Sequence, residues 1–183
     1  IPVDGVELPG HLTLPDNASG IVVFAHGSGS SRHSPRNNFV ADGINERGLG
    51  TLLFDLLTER EDRDRSNRFD IDLLADRLLR TTDWLDGRSE TADHPIGYFG
   101  ESTPGREGAG TGAAAALRAA ARRPDETAAV VSRGGRVDMA SDALAAVRAP
   151  TLFVVGGADH DVLELNREAY ENLRCEKALE VVP

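Results

Sequence analysis

The sequence is poor in several residue types on which whole classes of protein depend. Lysine occurs once among 20 basic residues, at Lys177, and cysteine occurs once, at Cys175. A lone cysteine excludes an internal disulfide, and the lack of a cysteine pair or a His-x-x-x-His motif argues against a metal site. No apolar run approaches the roughly 20 residues of a membrane-spanning helix, and no basic stretch with an apolar core opens the chain. We therefore expect a cytoplasmic protein that binds neither metal nor membrane.

Acidic residues are in excess, and this limits the partners of the chain. Asp and Glu number 30 against 20 Lys and Arg, which gives a net charge of −10. Such a charge repels nucleic-acid phosphate, so a small-molecule partner is expected and a nucleic-acid partner is not. The chain has 183 residues, of which 40% are hydrophobic, enough for one domain with a core and short for two. We expect a single domain over residues 1–183.

Apolar runs and helical patterns alternate along the chain. The runs that read as buried strands are residues 21–25, 51–55, 96–99, 128–131, 151–155 and 179–182. The segments with helical patterns are residues 36–47, 71–86, 113–122, 140–147 and 162–173. Strands that alternate with helices in this way predict an α/β fold, with a mainly parallel sheet and helices on both faces.

Some local predictions accompany this fold. Residues 3–14 carry an internal Pro-Gly pair and are predicted to form a β-hairpin at a sheet edge. The helix near residues 36–47 is expected to turn Phe39, Val40 and Ile44 inward. The charged run from residue 59 to 68 is predicted to be a solvated loop.

The centre of the sequence is a short apolar strand that runs into a glycine-rich turn and an alanine-rich helix, over residues 95–117. This order is similar to a nucleophile elbow, a tight turn that presents a serine between a strand and a helix. Glycines stand two residues before and two residues after that serine, because larger side chains would collide with the neighbouring strand and helix. Gly100 and Ser102 have the first spacing, whereas Pro104 occupies the place of the second glycine.

Two interpretations of this turn are open. In the first, Ser102 is the nucleophile, and the residues from Pro104 to about Gly110 are an insertion behind it. In the second, residues 108–112 form the true elbow, and Gly110 stands where the serine should be. The first interpretation is compatible with an enzyme, and the second is not.

Two further loops follow predicted strands. Residues 26–29 read His-Gly-Ser-Gly, and residues 156–159 read Gly-Gly-Ala-Asp. Without a Gly-x-x-x-x-Gly-Lys spacing or a nearby lysine, the first loop does not indicate nucleotide binding. The order of these loops and of the turn at Ser102 resembles an α/β-hydrolase of the dienelactone-hydrolase-like group, over nearly the whole chain. The resemblance implies a small ester or lactone as substrate and no cofactor.

The resemblance also implies a role for individual residues. Ser102 would attack a carbonyl to form an acyl-enzyme, and Asp159 would orient the catalytic histidine. The backbone N–H groups of Ser28 and Thr103 would form the oxyanion hole, where one donor contributes about 3 kcal/mol. Asp161 is then expected to be the N-cap of the helix that follows.

The catalytic histidine of the family has no match in this sequence. In the family it follows the last strand, and this sequence ends at Pro183, where that loop would begin. The five histidines present occupy other places: His11, His26, His33, His94 and His160. We therefore expect either a serine hydrolase whose last loop and helix lie beyond residue 183, or a catalytically inactive binding or scaffold protein. An acyl transferase would use the same residues as the hydrolase.

Overall fold

The computed structural model describes residues 1–27, 29–101 and 110–183. These ranges contain nine strands, six α-helices and two short 3₁₀-helices. The strands are β1 (Pro2–Val3), β2 (Val6–Glu7), β3 (Gly10–Thr13), β4 (Ile21–Ala25), β5 (Gly50–Phe54), β6 (Ile96–Glu101), β7 (Thr127–Arg133), β8 (Thr151–Gly156) and β9 (Lys177–Val182). The α-helices are α1 (Pro35–Asn45), α2 (Glu59–Asp62), α3 (Arg65–Phe69), α4 (Ile71–Asp86), α5 (Thr111–Arg122) and α6 (His160–Asn172). The 3₁₀-helices are Val137–Ala140 and Leu144–Ala146.

Seven of these strands form one sheet, in the order β3-β5-β4-β6-β7-β8-β9. β3 is antiparallel to β5, and every other neighbouring pair is parallel. β1 and β2 form a separate antiparallel pair. The predicted mainly parallel sheet is confirmed. The sequence could indicate it because parallel neighbours require crossover connections, and the alternation of strands and helices supplies them.

Helices cover both faces of the sheet. α1 packs on one face against Phe24 and Phe99, whose rings lie 4.8 Å apart. The other face carries the larger part of the core, to which α4, α5 and α6 contribute. α5 lies close to the sheet because its buried residues include the small side chains of Ala113 to Ala116. Within the described ranges, no helix combines the length and the apolar character needed to cross a bilayer.

The prediction for the inner face of α1 is wrong at one residue. Phe39 was expected inside the molecule but is 79% exposed, whereas Val40 and Ile44 pack against the sheet. The helix instead buries Asn37, whose amide donates to Glu101. A pattern of apolar residues does not reveal a helix face that is built around a buried polar side chain.

The N-terminal segment forms two structures instead of the single predicted hairpin. β1 and β2 are joined at Asp4 and Gly5, which have φ of +46° and +82°. The chain after Pro9 enters β3 and pairs with β5. An Asp-Gly pair adopts left-handed turn conformations more easily than Pro-Gly does, because proline fixes a negative φ.

The charged run after β5 is also more ordered than predicted. Residues 59–68, expected as a solvated loop, contain α2 and most of α3. α2 begins with a reciprocal cap: the Thr58 hydroxyl accepts from the Glu61 N–H, and the Glu61 carboxylate accepts from the Thr58 N–H. A capping box of this kind stabilises a short helix in a sequence without an apolar stripe.

Candidate active site

The carboxyl ends of the parallel strands lie along one edge of the sheet, where ligands bind in folds of this type. β4, β6 and β8 each end at this edge, and the predicted site residues follow them. Ser28, Ser102 and Thr103 lie outside the described residues. Asp159 and the described neighbours of the other three residues therefore define the geometry of the edge.

The loop after β4 is anchored by His26. The Leu56 N–H donates to His26 Nε2 at 3.1 Å, so this nitrogen carries the lone pair. His26 Nδ1 then carries the proton and donates to Gly27 O at 3.1 Å. Both ring nitrogens are thus engaged, and His26 is a link between β4 and β5 rather than an available base.

Asp55 holds the far part of the same loop. It accepts from the Arg32 N–H at 2.8 Å and also from the Arg32 guanidinium. A cavity of about 500 Å³ opens beside this pair. It is lined by Glu7, Pro9, His26, Ser30, Ser31, Arg32, His33, Asp55, Leu57, Thr58, Glu59 and Asp62. A second cavity, of about 530 Å³, lies on the other side of the loop and reaches Glu101. Substrate-sized space is therefore available on both sides of the loop.

Gly100 and Gly112 pack as the two glycines of an elbow must. A Cβ added to Gly100 would lie 2.5 Å from Ala113 Cα, and one added to Gly112 would lie 2.1 Å from Ala25 O. These distances are far below van der Waals contact, so neither position accepts a side chain. The end of β6, the first turn of α5 and the end of β4 are consequently in close contact.

In each interpretation of the turn, one of these two glycines stands two residues from the nucleophile position, as an elbow requires. Ser102 stands two residues after Gly100, and Gly110 stands two residues before Gly112. Gly110 is the N-cap of α5 and has φ of +105°. A Cβ there would lie 2.4 Å from a backbone nitrogen of the loop after β7. This place therefore has no room for a nucleophile's side chain. Ser102 lies outside the described residues, so both interpretations stay open.

Asp159 lies in the turn after β8 and has a second role that the sequence did not indicate. Its Oδ1 accepts from the Val162 N–H at 3.2 Å, which makes Asp159 the N-cap of α6. The prediction that Asp161 is the N-cap is wrong, because α6 begins at His160 and Asp161 falls in its first turn. Asp159 is exposed, beside an open depression lined by residues 158–161.

The distance between β6 and β8 bears on whether a histidine could link the candidate serine and aspartate. β7 lies between them, so their ends are about 10 Å apart at the usual strand spacing. In a catalytic triad, an imidazole would have to bridge a serine that follows β6 and an aspartate that follows β8. Within the described ranges, no histidine forms a hydrogen bond or an ion pair with Asp159.

Asn37, Glu101 and Arg133 form a hydrogen-bonded polar ring at the end of β6 that the sequence did not predict, with Asn37 and Glu101 buried and Arg133 partly buried. Asn37 Nδ2 donates to Glu101 Oε1 at 3.0 Å, and Arg133 Nη2 donates to Glu101 Oε2 at 2.8 Å. The same Arg133 nitrogen donates to Asn37 Oδ1 at 2.9 Å. The available signal was a charged residue at the end of each of two buried strands, Glu101 on β6 and Arg133 on β7.

Sequence comparison finds one kind of curated relative. The chain is 54% identical over 178 residues to a protein of Mycobacterium tuberculosis that is provisionally named a phosphoribosyl transferase, in the two strains CDC 1551 and H37Rv. The match covers 97% of this chain and 38% of that protein. The chain therefore spans well under half the length of the curated relatives it matches. No family model matches the chain.

Structure comparison finds closely similar solved structures. Dienelactone hydrolase from Anabaena variabilis has a TM-score of 0.91 and 50% identity, over 100% of this chain and 82% of that one. A cold-adapted esterase from an Arctic intertidal metagenomic library has a TM-score of 0.79 and 18% identity, over 100% and 82%. Est1E from Butyrivibrio proteoclasticus has a TM-score of 0.78 and 16% identity, over 99% and 87%. The last two similarities bear on the fold alone.

Proposed function

Because the chain belongs to the dienelactone hydrolase family of α/β-hydrolases, we propose that it is a serine hydrolase that cleaves a small ester or lactone. The observation that carries this proposal is the packing of Gly100 and Gly112, where a Cβ would lie 2.5 Å and 2.1 Å from backbone atoms. A nucleophile elbow requires glycine at both places, because larger side chains would collide with the adjoining strand and helix. Since Gly110 has no room for a side chain, Ser102 is the better candidate for the nucleophile.

The proposed reaction proceeds through an acyl-enzyme. Ser102 Oγ attacks the substrate carbonyl carbon while its proton passes to a base. The backbone N–H groups of Ser28 and Thr103 stabilise the oxyanion, each by about 3 kcal/mol. The alcohol leaves with the proton, and water then releases the acyl group from Ser102 by the same steps. Asp159 orients the base, and none of these steps requires a cofactor.

A histidine in a segment that follows β9 would be well placed to act as this base. Val182 of β9 pairs with Gly156 of β8, and the Gly157 N–H donates to Val182 O at 2.7 Å. A loop that leaves β9 therefore starts beside the turn that carries Asp159. Because a carboxylate accepts at both oxygens, capping through Oδ1 leaves Oδ2 of Asp159 for a histidine.

Hydrolysis by active-site variants of the full-length protein tests this proposal. We expect Ser102→Ala to lower the turnover of short p-nitrophenyl esters or small lactones by about a thousandfold or more. Asp159→Asn should cause a loss on the order of a thousandfold, because the base loses its orientation. The exposed Ser141→Ala is the control and should leave turnover unchanged. Full turnover by Ser102→Ala would refute the assignment.

A catalytically inactive binding protein on the same fold is the second candidate. Pro104 favours it, because this residue stands where the second glycine of an unbroken elbow would be. In that case the wild-type protein would bind a lactone in calorimetry but would show no turnover above the Ser102→Ala background. An acyl transferase would instead pass the acyl group to an added alcohol in preference to water.

The name of the Mycobacterium tuberculosis relative suggests phosphoribosyl transfer as a further activity. We infer that this activity belongs to the part of the relative outside the matched 178 residues. This chain, which matches those 178 residues, has a TM-score of 0.91 with a dienelactone hydrolase. Its glycine-rich loop after β4 has no lysine, because Lys177 is the single lysine of the chain. Binding of phosphoribosyl pyrophosphate by residues 1–183 alone would contradict this inference.

A further inference from the structure

Glu101 is a buried carboxylate at the start of the turn that carries the proposed nucleophile. Its side chain is 2% exposed, and a charge so deeply buried needs a partner and hydrogen bonds in place of water. It is the last residue of β6 and directly precedes Ser102. Whatever fixes Glu101 therefore also fixes the point from which the turn departs.

The contacts of Glu101 leave it little freedom. Each carboxylate oxygen has its own donor, Asn37 Nδ2 at 3.0 Å and Arg133 Nη2 at 2.8 Å. Asn37 must direct its NH₂ toward the carboxylate and its oxygen toward the guanidinium, because the reverse orientation would oppose donor to donor. The Arg133 guanidinium also lies 5.4 Å from the centre of the Phe99 ring. The three polar side chains therefore lock one another in one arrangement.

The ring joins three segments that each lead to the candidate site. Asn37 is in the first turn of α1, directly after the loop that begins at His26. Arg133 pairs with Glu101 in the last register position of β6 and β7. The chain beyond Arg133 then packs on Gly110, where a Cβ would lie 3.0 Å from Gly135 Cα. A displacement of Glu101 is thus passed to the loop after β4 and to the start of α5.

We propose that Asn37, Glu101 and Arg133 are positioning residues that set the place of Ser102 relative to the loop after β4. This inference rests on the proposed function, since it gives the ring a catalytic purpose. The ring holds Glu101, the residue before Ser102, against α1, the helix that follows the loop after β4. In the proposed mechanism, this position of the turn would direct the Ser28 N–H and the Thr103 N–H toward the same substrate oxygen. Glu101 itself does not act on substrate, because both of its oxygens are occupied.

Glu101→Gln tests the positioning role because it changes the hydrogen bonds of this side chain while keeping its size. Glutamine has the size of glutamate but offers one oxygen and one NH₂. The NH₂ must face either Asn37 Nδ2 or Arg133 Nη2, which are both donors, so one bond of the ring is lost. A second variant, Asn37→Ser, keeps the ion pair of Glu101 with Arg133 and removes only the link to α1. It provides the test if Glu101→Gln does not fold.

The experiment measures the rate at which a fluorophosphonate probe labels the full-length protein, per folded molecule. We expect both variants to lower the maximal labelling rate by about ten- to a hundredfold, since small misplacements of reacting groups have effects of this size. The probe concentration that gives the half-maximal rate should change little, because both carboxylate oxygens of Glu101 are engaged within the ring and are not free to bind the probe.

Glu61→Gln is the matched control. Glu61 also pairs with a buried arginine, Arg77, at 2.7 Å, but this pair joins α2 to α4 and includes no residue of the ring. The control variant should lose stability while its labelling rate per folded molecule stays within about twofold of wild type. A stabilising role for the Glu101 ring alone would give the same result for Glu101→Gln.

The outcomes distinguish the two proposals. If the wild-type protein is labelled at Ser102 and both ring variants are labelled equally fast, the positioning role is overturned and the serine hydrolase proposal stands. If the wild-type protein is not labelled above the Ser102→Ala background, the serine hydrolase proposal fails, and the catalytic purpose of the ring fails with it.

Discussion

At the scale of single residues, the contact between α5 and the sheet depends on the lack of a side chain at Gly112. A Cβ there would lie 2.1 Å from Ala25 O, and a backbone carbonyl of a central strand has no room to retreat. We expect Gly112→Ala to lower the free energy of unfolding by about 3 kcal/mol, as overpacking does in a dense core. The midpoint of urea unfolding measures the change.

Gly43→Ala is the matched control for this substitution. Gly43 lies inside α1, and the nearest atom to an added Cβ is the flexible tip of Arg47, at 3.7 Å. Alanine should stabilise the helix here by about 0.5–1 kcal/mol, because glycine loses more backbone entropy on folding. Equal midpoints for Gly112→Ala and wild type would show that α5 does not approach β4 so closely.

At the scale of elements, the short helix α2 is held by Glu61, and this predicts a pH dependence. Burial raises the pKa of Glu61, but hydrogen bonds from Thr58 and the charge of Arg77 outweigh it and bring the pKa below its ordinary value of 4.5. A carboxyl group with a lowered pKa in the folded state stabilises that state when it is ionised. The stabilisation is complete above the unfolded-state pKa and is lost as pH falls through the folded-state value.

The test compares the free energy of unfolding of wild type and Glu61→Gln across pH. At neutral pH we expect the variant to be less stable by about 2 kcal/mol, a typical value for a hydrogen bond to a charged group. The difference should shrink as pH falls below 4.5, the ordinary value for this group. Glu59→Gln, an exposed change in the same helix, should differ little from wild type at any pH. A difference for Glu61→Gln that does not vary with pH would contradict this account.

Elements with a strong local pattern could be predicted from the sequence. β4 and α4 have the predicted bounds, Ile21–Ala25 and Ile71–Asp86, because a doubly buried strand is a continuous apolar run and an amphipathic helix repeats every 3.6 residues. α1 shows the limit of such patterns. Its buried face contains Asn37, which is fixed by Glu101, 64 residues away, and by Arg133, 96 residues away. Contacts of such range leave no periodic trace in the sequence.

At the scale of the whole molecule, the order of the strands brings the predicted site loops to one edge. This could be predicted, because parallel strands joined by crossover helices place all their carboxyl ends together. The roles of individual residues at that edge could be predicted less well from the sequence. Asp159 proved to be the cap of α6 as well as a candidate acid, and His26 proved to be fully engaged by backbone groups. Both facts depend on atomic contacts that residue types and spacing do not specify.

Identification of the covalently modified residue tests the central claim most directly. The full-length protein is incubated with a fluorophosphonate, digested and sequenced by tandem mass spectrometry. In the proposed mechanism the serine oxygen displaces fluoride from phosphorus, so the phosphonyl group should be found on Ser102 and should be absent from the Ser102→Ala protein. Adduct on another serine, or an unmodified wild-type protein, would contradict the assignment of Ser102 as the nucleophile of this hydrolase fold.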